Sequence, residues 1–178
     1  MKHIVILTGS ARPNTAGKPL TELAQTMLEE QGVEVEVIDV AQLNLPFFNA
    51  TMPPSAEGYE IPHDSVKAWS KKVQAADGVV LMMPEYNHAM SAVQKNALDW
   101  LYSEWRDKPL AIIAYGFSAG KNSLTNFEAI NTNIKTDVVG TVGMQFLQQL
   151  EVDGSIKDEG VARQMIEPTL AALVEKVS

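Results

Sequence analysis

The sequence predicts an α/β fold in which one five-stranded parallel sheet lies between two layers of helices. Three observations predict it. Short β-branched runs alternate five times with longer stretches of helical periodicity, the trace left by successive strand-helix-strand units. The run Gly78 to Met83 is apolar at nearly every position, as a strand covered on both faces must be. The chain has 178 residues, enough for one domain over 1–178 that buries roughly 70% of the surface its unfolded form exposes.

Each element has its own signal. The first strand, Ile4 to Leu7, leads into a polar turn and then a helix that starts between Ala16 and Pro19. That helix places Leu20, Leu23, Ala24, Met27 and Leu28 on one face, and Gly32 follows it as a C-terminal glycine. The second strand, Val33 to Val40, alternates valine with glutamate over its first half and reads as an edge strand with a wetter face. Residues 41–62 hold four prolines and the pair Phe47-Phe48. Long loops of this kind are commonly functional.

A second helix, His63 to Ala76, shares a stripe of Val66, Trp69, Val73 and Ala76, and the apolar strand Gly78 to Met83 follows. The third helix, Ser91 to Ser103, packs Val93, Ala97, Trp100 and Leu101. Strand four is Leu110 to Tyr115, helix four Lys121 to Ile134, strand five Val138 to Gln145, and the final helix Glu159 to Val177. Right-handed crossovers leave few ways to order five parallel strands. The flavodoxin-like order 2-1-3-4-5, in a three-layer α/β/α sandwich, sets the loops after Leu7 and Met83 on either side of the crevice where such sheets bind ligands.

Composition narrows the function. A net charge of -8 disfavours nonspecific nucleic-acid binding, which needs clustered Lys and Arg. No cysteine is present, which removes disulfides, thiolate nucleophiles and thiolate metal ligands. The opening Met1-Lys2-His3-Ile4 enters a strand without an apolar signal region, and no stretch approaches the ~20 apolar residues of a membrane span. A cytoplasmic protein without a membrane partner is expected.

The chemistry concentrates in the two loops. Thr8 to Lys18 offers the hydroxyls of Thr8, Ser10 and Thr15, the guanidinium of Arg12, the ammonium of Lys18 and the free N–H groups of a helix start. Every one is a donor, which suits an anion such as a phosphate monoester; the same residue types also populate ordinary strand-to-helix turns. The second loop, Pro84-Glu85-Tyr86-Asn87-His88, mixes an acceptor, a flat aromatic face and an amide that donates and accepts. A planar heterocycle wants that mixture, whereas a plain turn would use Asn87 or Ser91 as a helix cap. His88 has no partner at metal-ligand spacing, so no metal is expected, and no Gly-x-Ser-x-Gly elbow marks a hydrolase. Trp69, Trp100 and Trp105 read as core or interface.

These residues resemble the NADPH-dependent FMN reductases of flavodoxin-like fold, a family with quinone-, azo-dye- and chromate-reducing members. The likeness rests on Gly9-Ser10-Ala11-Arg12, on Pro84-Glu85-Tyr86-Asn87 and on Lys95-Asn96-Ala97-Leu98-Asp99-Trp100. It implies that Ser10, Arg12, Thr15 and the backbone at Ala16 and Gly17 hold the FMN phosphate. Pro84, Glu85, Tyr86 and Asn87 would then lie along the ring system, with Ser118, Ala119 and Gly120 closing the other side. It further implies hydride passing from NADPH through FMN to a small-molecule electron acceptor, with no protein catalytic acid or base, in a homodimer or homotetramer. Two departures stand out: Gly17 replaces the family's usual asparagine, and the run after Asn87 differs. A flavodoxin-type electron carrier suits the acidic charge, but the first loop lacks the carriers' Thr-Gly-Asn-Thr signature. A scaffold with a degenerate site would follow if Gly17 and the altered run abolish flavin binding.

Overall fold

The computed structural model describes all residues from Met1 to Ser178. Five strands form one parallel sheet: β1 His3–Leu7, β2 Glu34–Ile38, β3 Gly78–Pro84, β4 Pro109–Gly116 and β5 Asp137–Gln145. Their order is β2-β1-β3-β4-β5, the flavodoxin-like order expected among the few that right-handed crossovers allow. Every residue of β3 is buried, because it sits at the centre of the sheet with helices on both faces. Edge strand β2 keeps Glu34 exposed and buries only Ile38 fully.

Five helices cover the sheet: α1 Lys18–Glu29, α2 Asp64–Ala75, α3 Ala92–Asp99, α4 Lys121–Ile134 and α5 Glu159–Val177. The two-residue period of the strands sorts the core into two halves. Val5, Leu7, Val79, Leu81 and Met83 face α2, α3 and α4, while Ile4, Ile6, Val80 and Met82 face α1 and α5. The stripe Leu20, Leu23, Ala24, Met27 and Leu28 of α1 is buried as its spacing predicts. Gly32, at φ +80°, lies just past that helix in the left-handed region where glycine is unstrained.

Three indoles fill the core beneath α2 and α3. Trp69, Trp100 and Trp105 are fully buried, and each finds a carbonyl acceptor: Ala97 at 2.8 Å, Pro46 at 2.7 Å and Leu98 at 3.1 Å. Satisfied N–H groups make such burial favourable, and truncating one to alanine would cost about 3–5 kcal/mol.

Boundaries differ from the sequence pattern by more than one residue in two places. β2 is shorter than 33–40, because Val40 begins a four-residue 3-10 turn, Val40–Leu43, whose N–H the Thr8 hydroxyl accepts at 3.0 Å. α3 stops at Asp99 rather than Ser103. Beyond it the Glu104 carboxylate accepts from the Tyr102 N–H at 3.3 Å, the Ser103 hydroxyl at 3.1 Å and the Ser70 hydroxyl at 2.5 Å, a local alternative to helical bonding.

Candidate functional site

β1 and β3 are hydrogen-bonded neighbours at the point where the strand order reverses, so the loops that leave their C-terminal ends meet over the crevice. Their contact is direct. Ser10 Oγ and the Tyr86 hydroxyl share a hydrogen bond of 2.6 Å, and the Ser91 hydroxyl donates to the Gly9 carbonyl. Ser91 also accepts from the Gln94 N–H at 3.2 Å, so one hydroxyl caps α3 and ties it to the first loop. Gln94 Nε2 donates to the Met82 carbonyl at 3.1 Å, while its Oε1 is buried without a partner. Gly9 is required by this close approach: a Cβ there would lie 2.2 Å from the Met82 carbonyl oxygen and 2.3 Å from Pro84 Cδ.

Within the first loop Ser10 is buried and accepts the Arg12 N–H at 3.2 Å. Thr15 Oγ1 accepts the Gly17 N–H at 3.3 Å, and Gly17 precedes the first turn of α1. Ser10, Arg12, Thr15 and Gly17 line one cavity of about 510 Å³, whose floor reaches Met82 and Tyr115. Arg12 is exposed and belongs to no ion pair, whereas Lys18 is 3.8 Å from Glu22 one helical turn on. Thr8 departs from the expected donor set. Its hydroxyl accepts from Val40 and donates to Asp39 at 3.4 Å, which fastens the loop to the end of β2.

The second loop is a tight reversal. Tyr86 and Ala89 exchange N–H to carbonyl bonds of 2.8 and 3.0 Å around Asn87 and His88, whose φ angles are +50° and +66°. Two consecutive left-handed residues define a primed turn, and asparagine tolerates that conformation best among non-glycine residues. Ser91, not Asn87, therefore caps α3. His88 stands exposed at the tip.

Glu85 faces the third loop. Its carboxylate accepts from the Ser118 hydroxyl at 2.6 Å, the Asn122 N–H at 3.0 Å and Asn122 Nδ2 at 2.9 Å. Burial alone would raise its pKa, but these donors, with the Ser123 N–H, outweigh it and hold the carboxyl below its ordinary value. Both the Glu85 carboxylate and the Ser118 hydroxyl are thus committed to joining two loops. Ala119 and Gly120 carry φ of +55° and +68°, and a Cβ on Gly120 would meet Ala114 Cβ at 2.5 Å.

Two further segments frame the crevice. Asn96 Nδ2 and Trp100 Nε1 both donate to the Pro46 carbonyl, at 2.9 and 2.7 Å, and the Phe48 N–H donates to Asn96 Oδ1 at 2.9 Å. This clamp presents Phe47 to solvent, 76% exposed. On the opposite flank Gly154, in the segment between β5 and α5, packs so close to the first loop that a Cβ would fall 2.2 Å from the Ala16 carbonyl oxygen. The structure brings Ser10, Arg12, Thr15, Ala16 and Gly17 to one end of the crevice and Pro84 to Asn87 beside it, with Ser118 to Gly120 joined on through Glu85. Sequence reasoning missed Asn122, Gln94 and Gly154. The Ser91-x-x-Gln94 spacing of a helix start was a readable signal for one of them; the other two depend on chain crossings.

Comparison with known proteins finds flavin-dependent reductases among the relatives of this chain. A family model described as NADPH-dependent FMN reductase matches residues 1–146. The chain is similar to the NAD(P)H-dependent FMN reductase ntnL of Nectria sp, at 29% identity covering 89% of this chain and 82% of that one. It is similar to an NADPH azoreductase of Bacillus sp. (strain OY1-2), at 30% identity covering 98% and 89%. Among solved structures, the flavoenzyme NAD(P)H:(acceptor) oxidoreductase FerB of Paracoccus denitrificans superposes with a TM-score of 0.73 at 22% identity, covering 99% of this chain and 97% of that one. That likeness concerns the fold.

Proposed function

The chain belongs to the NADPH-dependent FMN reductase family, and on that premise we propose that it passes hydride from NAD(P)H through bound FMN to a small acceptor such as free flavin, a quinone, an azo compound or chromate. The observation that carries the reading is the 2.6 Å bond between Ser10 and Tyr86. It joins the anion-suited loop to the loop suited to a planar ring, so one elongated phosphorylated ligand can span both.

The residues present fit FMN. Ser10, Thr15 and an unpaired Arg12 supply neutral and cationic donors at the N-terminus of α1, the chemistry a phosphate dianion selects. Gly9 and Gly17 bring the loop backbone close against β3 and β4, where the Met82 carbonyl and Pro84 ring at one position and the Tyr115 hydroxyl at the other already occupy the place of a side chain. We assign the phosphate to Ser10, Arg12, Thr15 and the backbone at Ala16 and Gly17, and the ring system to Pro84 to Asn87 and Ser118 to Gly120. Because the Glu85 carboxylate and the Ser118 hydroxyl bond to each other, their part at the ring falls to backbone groups. When bound, FMN supplies a ring that takes hydride from nicotinamide and passes reducing equivalents on. The protein holds the phosphate and fixes the three loops relative to one another. No side-chain acid or base is assigned a catalytic role.

We further place the protein in the cytoplasm as a single-domain homodimer or homotetramer. No helix is long and apolar enough to cross a membrane, and Phe47, Phe117 and Leu147 present exposed apolar side chains, at 76%, 64% and 57%, that a second copy would cover. The deciding experiment is an FMN titration of the purified protein followed by NADPH consumption across several acceptors. Yellow protein that oxidises NADPH only when acceptor is added supports the reading; protein that binds no FMN ends it. Flavin binding without NADPH turnover would instead favour an electron carrier, which the charge of -8 suits.

A further inference from the structure

Gly17 gives the first loop no side chain at the start of α1, yet the space beside it is filled. A Cβ built on Gly17 would lie 2.3 Å from the hydroxyl oxygen of Tyr115 and 2.8 Å from its Cζ. The phenol therefore occupies the volume that a side chain at position 17 would enter. Tyr115 comes from β4, two strands away from the loop it supports. It is 4% exposed, with its ring edge-on to Phe146 at 6.4 Å between centroids.

Tyr115 lines the same cavity as Ser10, Arg12, Thr15 and Gly17, with its hydroxyl beside Gly17. The Thr15 hydroxyl lies beside that of Tyr115 and the charge of Arg12 acts on it. Gly154 also packs closely against this loop. A Cβ there would lie only 2.5 Å from Ala16 Cα, so the segment after β5 is in tight contact with the residue before Gly17.

From this geometry we propose that the Tyr115 hydroxyl is a cofactor-binding group that donates a hydrogen bond to the FMN phosphate, in the place a side chain at position 17 would otherwise take. Burial pushes its pKa up to about 12, so it stays protonated, and able to donate, throughout the neutral range. The inference rests on the reading that this loop holds the phosphate of FMN. It goes further by naming a donor from β4 that the loop motif does not contain.

The test compares FMN with riboflavin, which carries the same ring system without the phosphate, by fluorescence titration of flavin-free protein. Tyr115→Phe keeps the ring and removes the donor. We expect its Kd for FMN to rise about 10-fold or more, the range of a hydrogen bond to a charged group, with the Kd for riboflavin unchanged. An unchanged FMN affinity would overturn the proposal. So would an equal loss for both flavins, which marks a structural role. A second pair guards against a packing effect. Tyr115→Ala should lose the preference for FMN over riboflavin, and Tyr115→Ala combined with Gly17→Asn should recover part of it by restoring a donor from the loop side; no recovery counts against the exchange. Wild-type protein that binds FMN and riboflavin equally would overturn this inference while leaving the flavin assignment standing. Wild-type protein that binds neither would end both.

Discussion

Replacing Glu85 with glutamine keeps the shape of the side chain and removes the charge that joins the β3 and β4 loops. The carboxylate accepts three hydrogen bonds, of 2.6, 3.0 and 2.9 Å, from Ser118 and Asn122. Glutamine retains one acceptor oxygen and turns an NH₂ group toward a donor, so at least one bond is lost and those remaining are no longer charge-assisted. A hydrogen bond to a charged group contributes about 1.5–3 kcal/mol and a neutral one about 0.5–1.5 kcal/mol. Since Glu85 is only partly buried and the Ser118 hydroxyl can reverse its direction, Glu85→Gln should cost about 1–2 kcal/mol. For a domain of this size each kcal/mol moves the melting temperature by about 2–4 °C. The loss should also loosen the loops that frame the ring end of the crevice, lowering the affinity for FMN and for riboflavin alike. The pH dependence follows from the direction of the shift. Folded Glu85 titrates below its ordinary value of 4.5 because its donors outweigh burial. Its contribution is therefore complete above that value and disappears as pH falls through the folded pKa. Urea unfolding of wild type and variant at pH 7, 5, 4 and 3.5 measures this, and the gap between them should be full at pH 7 and narrow toward the acid end. Equal stability at pH 7, or a gap that does not change with pH, would refute the role given to the carboxylate.

Three further outcomes are expected. Arg12→Ala should weaken FMN binding by about 1.5–3 kcal/mol through loss of a charge-assisted bond and leave riboflavin binding unaltered; an unchanged FMN Kd by calorimetry would return Arg12 to the surface. Gly9→Ala should destabilise the fold by about 3 kcal/mol or more, because its Cβ would meet the Met82 carbonyl and the Pro84 ring at 2.2 and 2.3 Å; a variant with wild-type melting temperature would disprove that packing. Trp100→Phe should cost about 1–2 kcal/mol by removing the 2.7 Å bond to Pro46, and limited proteolysis should then cut faster within 44–62. Unaltered cleavage there would mean that Asn96 alone holds the segment.

The fold was legible because its signals are local and periodic. Alternation in β2, the all-apolar β3 and the stripe of α1 each report which face meets the core, and α4 and α5 occupy Lys121–Ile134 and Glu159–Val177 as their patterns predict. Legibility failed where a side chain outside the apolar periodicity competes for the backbone. No local pattern shows that Glu104 will take the N–H of Tyr102, so the helix after Ser91 reads four residues too long at its C-terminal end, with Asp99 rather than Ser103 its last residue.

The candidate site divides along the same line. The chain alone determined which chemistry is present: hydroxyls and a guanidinium beside a helix start, an amide-bearing turn one strand-helix unit later, and no thiol anywhere. Such facts depend on residue type and short spacing, and both survive without a fold. Only the tertiary structure decided what each group is free to do. Packing turned Thr8 toward Asp39, closed Ser10 on Tyr86, committed Glu85 to Ser118 and Asn122, and set Tyr115 against Gly17. Each of those contacts joins residues at least 31 positions apart; their meeting is fixed by strand order and crossover handedness, which pair periodicity with a particular neighbour only once the whole sheet has formed.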